Sequence, residues 1–206
     1  MLAAVTRSFE RFEELPFDKL SRMVTFTTDR WKWLGIALTN QWGRSVNYYP
    51  SEALRQTAAA FPADFADMSL TVGLKPGLRL RLDEIYFYNH LAALDGRTIF
   101  NSHTLRSKAN YQFTRALSLR AILDYNGVLP DEDLVALERD KRVAYDLLAA
   151  YLVRPGTAVY VGFADAYENV ALAEPLTGPR RIGSPTTSTG RQLFVKASYL
   201  FRLSRR

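Results

Sequence analysis

From Leu193 to Leu203 every second residue is apolar or aromatic (Leu193, Val195, Ala197, Tyr199, Phe201, Leu203), while Gln192, Lys196, Ser198 and Arg202 stand among the places between. A repeat of two sets the groups on opposite faces of a β-strand. The same alternation recurs near residues 3–11, 21–27, 31–43, 66–74, 78–89, 98–113, 117–126, 141–153 and 157–168. With the closing stretch at 191–203, this predicts an all-β chain of ten antiparallel strands in an up-and-down meander. What then decides function is the medium against the apolar face: protein core or lipid.

The connections bear on that choice. Short turns at 28–30, 75–77, 114–116 and 154–156 alternate with longer polar connections. Transmembrane barrels sort their loops this way, with short periplasmic turns and long extracellular loops. The longest apolar run, LLAAYLV at 147–153, is far below the ~20 residues of a membrane helix, so any crossing is by strands. Absence of cysteine removes disulfides and thiolate metal sites. The formal charge of +6 is spread over alternating strands and forms no basic helix or stripe, so nucleic acid is not an expected partner. No Gly-rich phosphate loop and no His pair at metal spacing occurs, and no cofactor is expected. The chain reads as one domain over 1–206. After Met1 it continues LAAVTRSFERFEELPFDKL, with too short an apolar stretch for a signal peptide. The expectation is therefore the C-terminal part of a larger barrel, with the export signal upstream.

Hairpin parity sharpens the pattern, because residues directly opposite in an antiparallel pair share a face. A three-residue turn at 154–156 sets Tyr151 opposite Val159, Ala149 opposite Val161 and Leu147 opposite Phe163. A turn at 75–77 sets Leu74 opposite Leu78, Val72 opposite Leu80 and Leu70 opposite Leu82. A turn at 114–116 sets Tyr111 opposite Leu119 and Leu105 opposite Tyr125, with Asn110–Arg120 and Arg106–Asp124 on the other face. The apolar surface is continuous across all three.

On that surface aromatics gather toward the strand ends: Trp31, Trp33, Tyr111, Tyr151 and Phe201 near short turns, Tyr125, Tyr145 and Tyr167 near long loops. Leu, Val and Ala fill the middle, as in an apolar band bounded by two aromatic girdles. The opposite face carries Arg79, Arg81, Arg106, Lys108, Arg120, Asp124, Asp146 and Lys196 mid-strand, the expected lining of a polar lumen. The same charges suit the wet outside of a soluble sheet, which keeps a soluble or small closed ligand-binding barrel as the alternative. The last strand also fits an outer-membrane assembly signal at Lys196, Ser198, Phe201 and Leu203, with serine where glycine is usual.

Three segments, DGRTIFNSHTLRSKANYQFTRALSLRAILDYN at 95–126, YLVRPGTAVYVGF at 151–163 and GRQLFVKASYLFRL at 190–203, resemble the C-terminal barrel of a large uncharacterised bacterial outer-membrane family. DRWKWLGIAL and LRLDEIYFYNHL are similar to it as well. Full-length members of that family join the barrel to an N-terminal sandwich resembling family-nine carbohydrate-binding modules. The resemblance implies an outer-membrane location and a glycan-handling partner domain upstream, and carries no catalytic residue.

Enzyme chemistry has few footholds. Ser102 and His103 are adjacent, and neighbours in a strand face opposite sides. An outer-membrane hydrolase is thus a second alternative, with no catalytic residue assigned. The acidic stretch PDEDLVALERD at 130–140 lacks calcium-loop spacing and reads as a solvated loop with a short helical turn. The expected role is to span the bacterial outer membrane and line a polar lumen, as pore, conduit or anchor. Expected partners are outer-membrane lipid, the barrel-assembly machinery and the missing N-terminal part of the polypeptide.

Overall fold

The alternating stretches form strands in a computed structural model that describes residues 1–57, 59–171 and 180–200. The elements are β1 (Leu2–Phe12), β2 (Leu15–Trp31), β3 (Leu34–Asn47), α1 (Glu52–Arg55), β4 (Phe61–Leu74), β5 (Leu80–Ala93), β6 (Thr98–Gln112), β7 (Leu117–Pro130), β8 (Asp140–Arg154) and β9 (Thr157–Glu168). Three two-residue strands follow, β10 (Val170–Ala171), β11 (Arg180–Arg181) and β12 (Thr187–Ser188), and then β13 (Gln192–Tyr199). Each long strand from β1 to β9 pairs antiparallel with the next, and β12 and β13 return beside β9. The chain is therefore an all-β up-and-down meander with almost no helix. Among the described residues β1 and β13 do not pair with each other, so the sheet is open.

Two of the three tested registers hold. Tyr151 faces Val159, Ala149 faces Val161 and Leu147 faces Phe163. Tyr111 faces Leu119, Leu105 faces Tyr125 and Arg106 faces Asp124. The third is displaced by four residues: Leu74 faces Leu82 rather than Leu78, Val72 faces Glu84 and Leu70 faces Tyr86. The connection here takes in 75–79, with Leu78 fully exposed. An even displacement preserves the faces, and it sets Glu84, which shares the apolar side with Leu82 and Tyr86, opposite Val72.

The expected strict alternation of short and long connections fails at two places. Glu13 and Glu14 alone join β1 to β2, both at positive φ (44° and 66°), the conformation of a type I′ hairpin turn. As a result β2 runs for 17 residues and absorbs the stretch expected to be loop. The connection 94–97 between β5 and β6 is also tight, because the Asp95 carboxylate accepts from the Arg97 backbone N–H at 3.0 Å and from its Nε at 2.9 Å. Gly96 supplies the left-handed φ of 88° that this turn requires. At the opposite end every connection is short: 32–33, 75–79, 113–116 and 155–156.

Among the described residues no second layer covers the sheet. The accessible surface is 14536 Å², against roughly 9,700 Å² expected for a compact monomer of this mass. Apart from Ala158 at the start of β9, the buried apolar side chains gather instead at the long-loop end. Leu134 and Val135 pack on Ala63, Leu91 and Ile99, and Phe17, Val46 and Ala60 pack with Phe12 and Tyr48.

Candidate functional site

The pairing registers carry one set of side chains continuously across the sheet as a polar face. It comprises Ser21 on β2, Gln41 on β3, Asp67 on β4, Arg81 on β5, Arg106 and Lys108 on β6, Arg120 and Asp124 on β7, Asp146 on β8 and Lys196 on β13. Seven of the eight charged residues expected on this face belong to strands that place them there. Arg79 does not: it lies in the 75–79 turn, where its carbonyl accepts from the Gln112 N–H at 2.8 Å.

Most charges on this face occur in pairs. Arg106 Nε lies 3.6 Å from Asp124 Oδ1, Arg120 Nη2 3.8 Å from Asp146 Oδ1, and Arg142 Nε 4.0 Å from Glu168 Oε1. Arg81 donates to both oxygens of Asp83 at 3.0 Å. Most of these side chains are about half exposed, so each contact is a hydrated ion pair contributing about 0–1 kcal/mol. Toward the other edge neutral hydrogen bonds take over, with Gln41 Nε2 donating to Ser21 Oγ at 2.7 Å and the Thr25 and Thr39 hydroxyls 3.1 Å apart. Lys19 donates to Glu10 at 2.8 Å, and the Tyr48 hydroxyl donates to the same carboxylate oxygen at 2.9 Å.

Two loops close over this face at one end. Connection 48–60 meets connection 131–139 through a bridge between Pro50 and Val135. Asn47 Nδ2 donates to the Leu134 carbonyl at 3.1 Å, Ser51 Oγ to the Asp133 carbonyl at 2.7 Å, and the Ala136 N–H to the Tyr49 carbonyl at 2.9 Å. Ser51 also caps α1 by accepting from the Leu54 N–H. The stretch expected to be a solvated acidic loop is thus a plug, with Asp131 turning the chain and Leu134 and Val135 buried. Beneath it lies a cavity of about 610 Å³ reached by Thr6, Ser8, Ser21, Gln41, Asn89 and Ser102 from β1 to β6. Residues of strands so far apart share one cavity because the sheet curls with its polar face inward. Among the described residues no group of three or more His, Asp or Glu is set to hold a metal ion.

The apolar face is the outward one, and it is exposed. Phe26, Leu123, Leu147, Val161 and Val195 are each between 41% and 70% accessible. At the short-turn end Trp31 lies tilted against Trp33 (6.5 Å) and Tyr111 meets Phe113 edge-on (4.7 Å), while Tyr151 stands opposite Leu117 at the same end of β8. Trp33 stands in the 32–33 turn rather than in a strand. Further along, Tyr145 stacks on Tyr167 (6.2 Å), and Tyr125 faces Val143. Phe201 and Leu203 lie outside the described residues, and Lys196 and Ser198 of the assembly-like stretch are on the polar face of β13.

Three features of the apolar side escaped the alternation pattern. Ser107 Oγ donates to Glu84 Oε1 at 2.7 Å, and the Tyr86 hydroxyl meets His103 Nδ1 at 2.8 Å with Tyr88 against the same imidazole (5.0 Å). These residues form a polar break across β5 and β6. Ser102, on the other face, donates to Asn89, so the adjacent Ser102 and His103 serve separate networks. Near β9 the side chain of Asp165 is fully buried and accepts from Ser188 Oγ and Arg191 Nε, both at 2.7 Å. The β5–β6 register set by the tight 94–97 connection brings the first two sets of partners together, and the return of 187–191 beside β9 the third.

No family model, no curated protein and no solved structure matches the chain. The reading of function rests on the geometry.

Proposed function

We propose that this chain is a membrane-spanning sheet of a bacterial outer-membrane β-barrel, its apolar face against lipid and its polar face lining a hydrated interior. The observation that carries this is the exposed apolar face, which runs over the strands with one polar break across β5 and β6 and is flanked by aromatic residues, opposite a face rich in paired charges. In water such a surface is an association liability; in lipid it is the ordinary outer surface of a barrel. Charges on the concave side suit a wet lumen, and the loop plug narrows that lumen at the extracellular end. The role that follows is conduit or anchor, with the upstream glycan-handling domain implied by the family resemblance as the cargo of an anchor.

The reading carries a demand. β1 and β13 each leave one edge without a strand partner among the described residues, and an unpaired backbone group in hydrocarbon costs several kcal/mol. In the membrane these edges must meet each other or further strands. A soluble ligand-binding module is the second reading, favoured by the polar-lined cavity of about 610 Å³. Fractionation separates the two. Expressed with a signal peptide and its natural upstream sequence, the chain should sediment with outer membranes, resist alkaline extraction and migrate differently on gels before and after heating. Recovery as a soluble, monodisperse periplasmic protein would end the membrane reading.

A further inference from the structure

On the apolar face, at the long-loop end of β1 to β4, lies a groove of about 960 Å³ that carries Arg7, Arg22, Arg44, Asp18, Asp64 and Trp42. Register brings them together. Leu20 stands opposite Arg7 on one side and opposite Arg44 on the other, and Arg22 stands opposite Val5 and Trp42. Strands are about 4.8 Å apart, so the backbones of Arg7 and Arg44 are about 10 Å apart, with Arg22 on the strand between them. Gly43 makes this packing possible, since a Cβ there would lie 1.8 Å from the Leu20 carbonyl oxygen. Arg44 Nε is 3.8 Å from Asp64 Oδ1 with both side chains more than half exposed. No ion pair or side-chain hydrogen bond is found for Arg7 or Arg22 among the described residues.

Height along the strand gives the patch its meaning. The apolar side of β3 runs Leu34, Ile36, Leu38, Asn40, Trp42, Arg44, and that of β2 runs Phe26, Val24, Arg22 toward the same end. The arginines begin where the apolar band stops, with a tryptophan at the boundary, the level at which a membrane presents its headgroups. We propose that this groove binds the phosphate groups of an outer-leaflet lipid, a proposal that rests on the membrane-spanning reading. Guanidinium groups engage phosphate oxygens through paired, charge-assisted hydrogen bonds. Asp18 and Asp64 cut the net charge of the three arginines to +1, and Lys19, which also lines the groove, is held by Glu10 at 2.8 Å, so recognition comes from placement of the guanidinium groups more than from a general positive field. Leu20 and Trp42 supply apolar contact for the lipid body beside the phosphate.

Phosphate could equally arrive as a free ion, and the test separates the sources. The chain, folded in detergent micelles, is titrated with diphosphoryl lipid A, with the same lipid stripped of phosphate, and with inorganic phosphate; membrane insertion is scored in parallel by alkaline extraction. Diphosphoryl lipid A should bind at least tenfold more tightly than either control. Arg22→Gln with Arg44→Gln should lose that preference, roughly tenfold or more, with insertion unchanged, and Arg142→Gln on the polar face should keep it. If the double variant does not fold, Arg7→Gln alone must still weaken binding at least threefold. Equal affinity for the dephosphorylated lipid, or an unaltered affinity in the arginine variants, overturns the proposal and leaves the membrane reading standing. Saturation by inorganic phosphate at the affinity of the lipid overturns the lipid source. Failure of the unaltered chain to enter membranes ends both together.

Discussion

Strands β7 to β9 and strands β1 to β3 carry charge in different ways. In β7 to β9 the mid-strand charges, the buried Asp165 excepted, sit on the polar face and pair across strands, as in Arg120–Asp146 and Arg142–Glu168, while the apolar side of β7 runs Leu117, Leu119, Ala121, Leu123, Tyr125 without interruption. In β1 to β3 the polar face is dominated by hydroxyl and amide groups, and three arginines stand on the apolar side at one end. Charge is sorted by face in one region and by height along the strand in the other. A rule that reads only faces would call Arg22 and Arg44 misplaced; a rule that reads height as well finds them at a boundary.

The comparison can be broken most directly in the middle of the apolar band. Arginine at Ala149 or Val161 should cost about 2–4 kcal/mol of stability in lipid, and Leu38→Arg the same, although Arg44 further along β3 is native. Arginine at Ala150, on the polar face, should cost less. Folding titrations in lipid vesicles measure these penalties. Equal penalties at Ala149 and Ala150 would mean that the faces are wrongly assigned, and a tolerated Leu38→Arg would remove height as a criterion in β1 to β3.

A smaller effect probes how β1 to β3 are built. Gly43→Ala places a Cβ against the Leu20 carbonyl, and such forced overpacking costs about 1–3 kcal/mol. Gly77→Ala, with open space around its Cβ position, should leave the unfolding midpoint near that of the unaltered chain. The same midpoint for both variants would show that β2 and β3 are not in close contact at the arginine groove.

The smallest effect sharpens the account of β6 and β7. A double-mutant cycle on Arg106→Ala and Asp124→Ala should give a coupling of about 0.2–1 kcal/mol, the range for hydrated cross-strand pairs, since both side chains are about half exposed at 3.6 Å. Coupling well above that would point to an interior that excludes water, because removing one partner would leave a charge in a poor solvent. Loss of all coupling would question the register.

Legibility in the sequence followed turn chemistry. Alternation and the short turns at 114–116 and 154–156 fixed the register of two hairpins, and with them the opposition of Arg106 and Asp124. The proline–glycine pair at 76–77 suggested an equally short turn, but Leu78 and Arg79 extend it, and the four-residue displacement sets Glu84 opposite Val72 rather than Met68. The β1–β2 turn was illegible because Glu13 and Glu14 are poor markers of positive φ. At 95–96 the Asp-Gly pair is a hairpin signal, set within the polar stretch 94–97 that alternation alone reads as part of a longer loop. The plug was hidden in an acidic stretch, where the apolar pair Leu134 and Val135 was the only trace of burial. The arginine groove required β1, β2 and β3 to be placed side by side, and with β2 begun at Ser21 its neighbours Asp18 and Leu20 fell outside any strand.

The meeting of loops 48–60 and 131–139 has a consequence in time as well as in space. Its hydrogen bonds join residues separated by 87 and 82 positions, Asn47 with Leu134 and Ser51 with Asp133. Such contacts repay the entropy of closing a long chain segment only after the intervening hairpins have formed. Each hairpin from β4 to β7 can zip locally, but the clasp over their end waits for all of them to curl. It is a late step in folding, and a chain arrested before it would hold its strands in register while that end of the sheet stood uncovered.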